Sequence, residues 1–148
     1  DDLIQSLIAS ARAQLEAEIA LCLISRRYLV EIEDWPICAP IKPPVQPVLA
    51  IESVMIDGVD HTPAFELEEV SLRSVIHSKD DPPPAIEDSA QFTLLVGLAA
   101  TPEDVPDDLH LALKMLVREA YEARTGEGRS TPSSAVERII AKWREVRL

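Results

Sequence analysis

The stretch that most limits what this chain can fold into is "IKPPVQPVLAIESVMIDG", Ile41 to Gly58. Three prolines precede a run of almost uncharged residues, and an Asp-Gly pair closes it. Proline lacks an N–H and fixes φ, so 40–47 is expected to be an extended, stiff elbow at the edge of a sheet. "VLAIESVMI" then reads as a strand, and Asp57-Gly58 as a tight hairpin turn. Such a strand looks apolar on both faces and so needs cover on both. In a chain of 148 residues that cover comes either from its own helices or from a second subunit.

The rest of the chain sorts around that strand. Leu3, Ile4, Leu7, Ile8, Ala11, Leu15 and Ile19 recur at spacings of three and four, predicting an amphipathic first helix that ends before Ser25. Asp1 and Asp2 suit the positive end of its dipole. "RRYLVEIEDWP" alternates, with Tyr28, Val30 and Ile32 on one side and Leu29 with charged residues on the other. "AFELEEVSLRSVIH" supplies one or two short strands, "SKDDPPPAIEDSA" a loop, and "QFTLLVGL" another strand. Pro106, at the first helical position, and Asp107 and Asp108 open a long helix. Its expected buried face is Leu109, Ala112, Leu113, Leu116, Val117, Ala120 and Tyr121, with Gly126 at its C-terminal end. A last helix starts near Pro132, or at Ser134 with Glu137 completing a capping box. Its stripe is Val136, Ile139, Ile140, Trp143 and Val146. Helix, strands, helix, helix is an α+β order: an N-terminal helix, a small antiparallel β region, and a long and a C-terminal helix packed together. The length suits one domain over 1–148.

Charge excludes some functions. The chain carries −12, which repels phosphate and argues against conventional nucleic-acid binding. From Arg129 to Leu148 there are five basic residues against two acidic, a net of +3, leaving −15 on residues 1–128. A basic tail on an acidic body suggests docking elsewhere, although a solvated charged helix has the same composition. No apolar run is long enough for a membrane span. The opening "DDLIQS" has no basic leader segment, and the absence of an initiating Met is consistent with residues upstream.

Groups for chemistry are sparse. The histidines are His61, His77 and His110, and His110 falls on the flank of a helix stripe. Asp60-His61 could form an oriented base. Yet the available nucleophiles, Cys38 and Ser71, sit in no motif, and a Cys38–His61 dyad has no supporting pattern. Cys22 and Cys38 have neither zinc nor disulfide-framework spacing and read as reduced, small apolar residues. Four glycines form no phosphate loop. The acid pairs Asp80-Asp81, Glu87-Asp88, Glu103-Asp104 and Asp107-Asp108 lack the spacing of a calcium loop. No catalytic residue, cofactor or metal is therefore expected.

The ordered segments resemble a known family, the head–tail connector or adaptor proteins of long-tailed bacteriophages and phage-like gene transfer agents. "DDLIQSLIASARAQLE" is similar to that family's early helix. "LISRRYLVEIEDWP" and "IKPPVQPVLAIESVMIDG" resemble its strand, proline elbow and Asp-Gly turn. "VPDDLHLALKMLVREAYEAR" resembles its long helix, and "STPSSAVERIIAKWR" its closing one. The likeness leaves out roughly 59–90, lacks the family's short preceding helix, and continues with "EVRL" past the usual arginine.

The resemblance implies a structural, non-enzymatic part of a particle neck, assembled in the bacterial cytoplasm. It would form a homo-oligomeric ring of about twelve copies between the portal protein and the stopper or tail-completion protein. DNA would pass through without specific binding, repelled by the acidic body, and no membrane would be involved. The last helix, 131–148, becomes a portal-docking segment, with Trp143 as anchor and Arg138, Lys142, Arg144 and Arg147 as salt-dependent contacts. Pro43, Pro44, Val45, Pro47, Leu49 and Ile51 become a subunit interface whose rigidity limits the entropy lost on assembly. Two rival classes remain. One is a small acidic regulatory protein, antitoxin-like or mimicking nucleic acid, that binds a basic partner; the other is a hydrolase using Cys38 or His61.

Overall fold

The structure is a computed structural model that describes residues 2–36, 40–70, 72–126 and 131–145. In chain order it comprises α1 (Asp2–Ile19), β1 (Arg26–Ile32), β2 (Val48–Ile56), β3 (Val59–Asp60), β4 (Phe65–Val70), β5 (Arg73–Ser78), β6 (Ala90–Val96), α2 (Asp107–Arg124) and α3 (Ser134–Glu145). The α+β order expected from the sequence is the one found. Contacts divide the chain into a three-helix unit, Asp1–Leu21 with Pro102–Leu148, and a strand unit, Cys22–Thr101.

In the strand unit β6 lies between β1 and β2, antiparallel to both, and β3 extends the order to β1-β6-β2-β3. Alternation along β6 buries Ala90, Phe92, Leu94 and Val96 on one face. The β4–β5 hairpin adds Phe65 and Ile76 to the same cluster. Trp35, Phe65 and Phe92 meet there with ring centroids 5.3 to 6.1 Å apart, two of the three pairs edge to face. The Trp35 indole N–H donates to the Pro84 carbonyl at 2.7 Å, tying the proline loop to this cluster.

β2 is not apolar on both faces. Its register against β6 slips twice, between Val48 and Ala50 and between Ile51 and Ser53, so Leu49 and Glu52 are the extra residues of two bulges. The inward residues are therefore Val48, Ile51, Val54 and Ile56, spaced three, three and two rather than two throughout. The other face carries Ala50, Ser53 and Met55, and Leu49 stands 45% exposed. The Asp57-Gly58 turn is as expected, with φ of 50° and 81°, positive at both central residues.

The elbow does more than mark an edge. Pro43 and Pro47 are buried, Val45 is half-buried and Pro44 exposed. Ile41 exchanges two backbone bonds of 2.9 Å with Ile76, extending the sheet beyond β5. Proline has lost its donor, but its carbonyl still accepts: Pro47 O takes the Gly97 N–H at 2.9 Å.

In the three-helix unit, α1 buries Ala11, Leu15 and Ile19, whereas Leu3, Ile4 and Ile8 of the expected stripe are over 40% exposed. The helix ends before Ser25, as expected, at Ile19, where Ala20 turns left-handed with φ of 53°. On α2, Leu109, Ala112 and Leu116 are buried while Tyr121, expected inside, is 52% exposed. Pro106 is the cap residue rather than the first helical one. Val136 and Ile140 are the buried positions of α3, and Val146 lies outside the described residues.

Candidate interaction surfaces

The basic last helix is the first candidate. Its Lys142 ammonium and Trp143 indole N–H both donate to Oδ2 of Asp108 in the first turn of α2, at 2.7 and 3.1 Å. At the other end, the Ser133 amide donates to both carboxylate oxygens of Glu119 at 3.3 Å. α3 therefore runs antiparallel to α2. The expected capping box is replaced: Glu137 N–H bonds the Ser133 carbonyl as an ordinary helical turn, and the carboxylate that meets the cap amide comes from α2. Arg144 donates to the Glu18 carbonyl at 2.8 Å and pairs with the Glu18 carboxylate of α1.

Three of the five residues expected to dock thus already hold partners inside the unit. Arg138 is exposed, with no side-chain partner among the described residues, and Arg147 lies outside them. Asp108 is what the sequence reading missed, having been read only as a helix-dipole carboxylate. Partial burial would push its carboxyl up, but the Lys142 and Trp143 hydrogen bonds outweigh it and hold the pKa below the ordinary value.

The elbow face is the second candidate. Pro44 and Leu49 are exposed, Val45 and Ile51 half-buried, and Pro43 and Pro47 are enclosed by their own chain. Behind them Gln46, 5% exposed, uses its side-chain amide as a peptide bond would be used. Nε2 donates to Ser74 O at 2.8 Å and Oε1 accepts from Ser74 N at 2.9 Å. Ser74 in turn donates its hydroxyl to Val48 O at 3.1 Å. The elbow, β5 and β2 are thereby held in one buried network.

The residues weighed for catalysis are mostly committed elsewhere. Asp60 Oδ1 accepts from the Thr62 amide and hydroxyl at 2.9 and 2.6 Å, and these bonds, hydroxyl first, lower its pKa. Its carboxylate thus serves the turn, while His61 uses its backbone N–H on Val54 O. Asp57 accepts three amides, from Glu87, Asp88 and Ser89, at 2.8 to 3.1 Å, which depress its pKa. His77 contacts Glu68 on the β4–β5 hairpin, and His110 is half-buried on α2. Cys22 is buried, and its thiol donates to Ile24 O at 3.2 Å. Cys38 and Ser71 lie outside the described residues. A cleft of about 290 Å³ lies among Trp35, Pro36, Phe65, Ile76, His77 and Pro83. Among the described residues no group of three His, Cys, Asp or Glu is placed to hold a metal ion, and no helix is long and apolar enough to cross a membrane.

No protein-family model matches the sequence, and neither does any curated protein. Solved structures do. The chain is similar to one in the "Neck of native GTA particle computed with C12 symmetry", with a TM-score of 0.81 and 21% identity over 97% of this chain and 82% of that one. A chain of the "Virion of native gene transfer agent (GTA) particle" gives a TM-score of 0.83 and 22% identity, covering 97% and 77%. A chain of the "Neck of empty GTA particle computed with C6 symmetry" gives 0.81 and 23%, covering 97% and 78%. At these identities the likeness establishes the fold. It is the fold that the ordered segments of the sequence had pointed to.

Proposed function

We propose that this protein is a structural component of the neck of a phage-like particle. It acts as a ring-forming connector between the portal and the stopper or tail. One observation carries the reading: the fold runs over 97% of the chain at a TM-score of 0.81 in chains of two gene transfer agent necks. The −15 on residues 1–128 supports a role beside DNA rather than on it, since an acidic wall repels the passing backbone. The protein works without catalysis or cofactor, as one domain over 1–148 assembled in the cytoplasm and carried in the particle.

Portal docking falls to the last helix, and the structure suggests a division of labour within it. Lys142, Trp143 and Arg144 hold α3 on its own unit, leaving exposed Arg138 as the described residue of the set that reaches a partner, with Arg147 outside the described residues. Pro44, Val45, Leu49 and Ile51 offer a subunit contact on a surface stiffened by the buried Pro43 and Pro47.

The test is electron microscopy of particles from cells lacking the gene. DNA-filled heads without tails, beside free tails, are expected; normal tailed particles would overturn the reading. Arg138→Glu should then weaken portal capture while the fold is retained, because exposed Arg138 takes no part in the Asp108 or Glu18 ties.

A further inference from the structure

Apart from the two-residue β3, two strands end their sheets without a neighbour among the described residues: β1 on one side of the four-stranded sheet and β4 in the two-stranded one. Among the described residues, neither Arg26–Ile32 nor residues 66–70 make a backbone bond outside their own sheet. An open edge is a row of unpaired N–H and C=O groups, and charged side chains commonly blunt it. Blunting accounts for charge on each edge but not for opposite sign. β1 opens with exposed Arg26 and Arg27, and β4 carries exposed Glu66, Glu68 and Glu69. Arg27 pairs with Glu52, and Glu68 meets His77. Arg26, Glu66 and Glu69 have no side-chain partner among the described residues. Each edge also bears an exposed apolar residue, Leu29 at 59% and Val70 at 53%.

We propose that these two edges form one contact between copies, β1 of one protomer adding to β4 of the next. The strands match in length, at seven and six residues. Antiparallel addition sets Arg26 and Arg27 against Glu69 and Glu68. It carries Glu31 to the far end, near Lys79, whose amide bonds Ala64 O. Parallel addition would instead bring Glu31 toward Glu69, like against like. Because the two surfaces differ, the contact is head-to-tail, the kind that closes into a ring. It rests on the connector reading and supplies that reading with a joint.

The test uses two variants of the full chain, Arg26→Glu/Arg27→Glu and Glu66→Lys/Glu68→Lys/Glu69→Lys, followed by light scattering after size exclusion at low and high salt. The wild type is expected to self-associate, less so in salt. Each variant alone should fold, by circular dichroism, and stay monomeric. Their one-to-one mixture should recover assembly, since an alternating ring pairs opposite charges at every joint. If a multiple variant does not fold, the single pair Arg26→Glu and Glu69→Lys carries the same test. Self-association of either variant at wild-type level, failure of the mixture, or a wild type monomeric at every accessible concentration would overturn the contact. The connector reading is judged separately, by tail attachment in the deletion particles.

Discussion

The three-helix unit and the strand unit satisfy the polar groups at their joints by contrasting means. Between helices the ties are long, charged and largely exposed: Lys142 on Asp108, Arg144 on Glu18, and Glu119 on the Ser133 amide. Between strands, beside exposed charged pairs such as Arg27 on Glu52, the innermost ties are neutral and buried: Gln46 on Ser74, Ser74 on Val48, and a glycine where two backbones touch. Exposed charged ties are screened and individually weak. Buried ones cannot be replaced by water, so losing one strands its partner. The helical unit should yield by degrees and the strand unit all at once.

The sharpest break is at Gly97. Its φ is 135°, and a Cβ there would lie 2.5 Å from the Ser25 backbone N and Cα. That backbone is held in place by Ser25 N–H on Ala99 O and Leu98 N–H on Cys22 O, both 2.8 Å. Gly97→Ala should cost more than about 3 kcal/mol and unfold the strand unit. Trp35 lies in that unit and Trp143 in the helical one, so fluorescence of Trp143→Phe and Trp35→Phe backgrounds reports each separately. Loss of the Trp143 signal at the same denaturant concentration would show that the units do not yield independently.

Gln46→Ala comes next. It leaves both the N–H and C=O of Ser74 buried without their partner, about 2–4 kcal/mol in all. Urea melts and faster hydrogen exchange at the Ser74 amide would measure it. An unchanged exchange rate would mean that water replaces the side chain and that the contrast between the units is overdrawn.

Asp108→Ala should be milder, about 1 kcal/mol, because the ion pair is half in solvent. Its pH signature is specific. With the folded pKa below the ordinary carboxylate value, the contribution is fully present above about pH 4 and is lost as pH falls through the depressed value. The variant's acid melt, followed at Trp143, should therefore flatten in that window relative to wild type. An identical acid limb would assign the tie no net stability.

These contrasts also explain what the sequence disclosed. Helix stripes were legible because period 3.6 survives any surroundings: Ala11, Leu15 and Ile19 were found by spacing alone. Exposure of Leu3, Ile4, Ile8 and Tyr121 was not legible, since periodicity says which face is apolar and not how far a neighbour reaches. β2 misled because two bulges change its period from two to three, and a bulge has no reliable sequence mark. Arg138, Lys142 and Trp143 were visible as a basic, aromatic helix. That Asp108 would engage two of them depended on α3 turning back antiparallel, information held thirty-odd residues away. Gln46, in a stretch read for its prolines, carried no signal at all.

The smallest effect tests the comparison from the opposite side. Ala20 ends α1 with φ of 53°, a conformation that costs an L-residue about 1–2 kcal/mol. Its side chain is exposed. Ala20→Gly relieves that strain, offset by the extra freedom glycine gives the unfolded chain, about 0.4–1 kcal/mol. The expected net is a gain of under about 1 kcal/mol, seen as a later urea midpoint with an unchanged slope. Asp57 sits at nearly the same φ, 50°, yet Asp57→Gly should destabilise, because its carboxylate holds the amides of Glu87, Asp88 and Ser89. A left-handed residue is thus a site for glycine only where its side chain has no task. Should both substitutions stabilise, the three bonds at Asp57 count for less than backbone strain, and the strand unit is less dependent on its specific ties than its geometry implies.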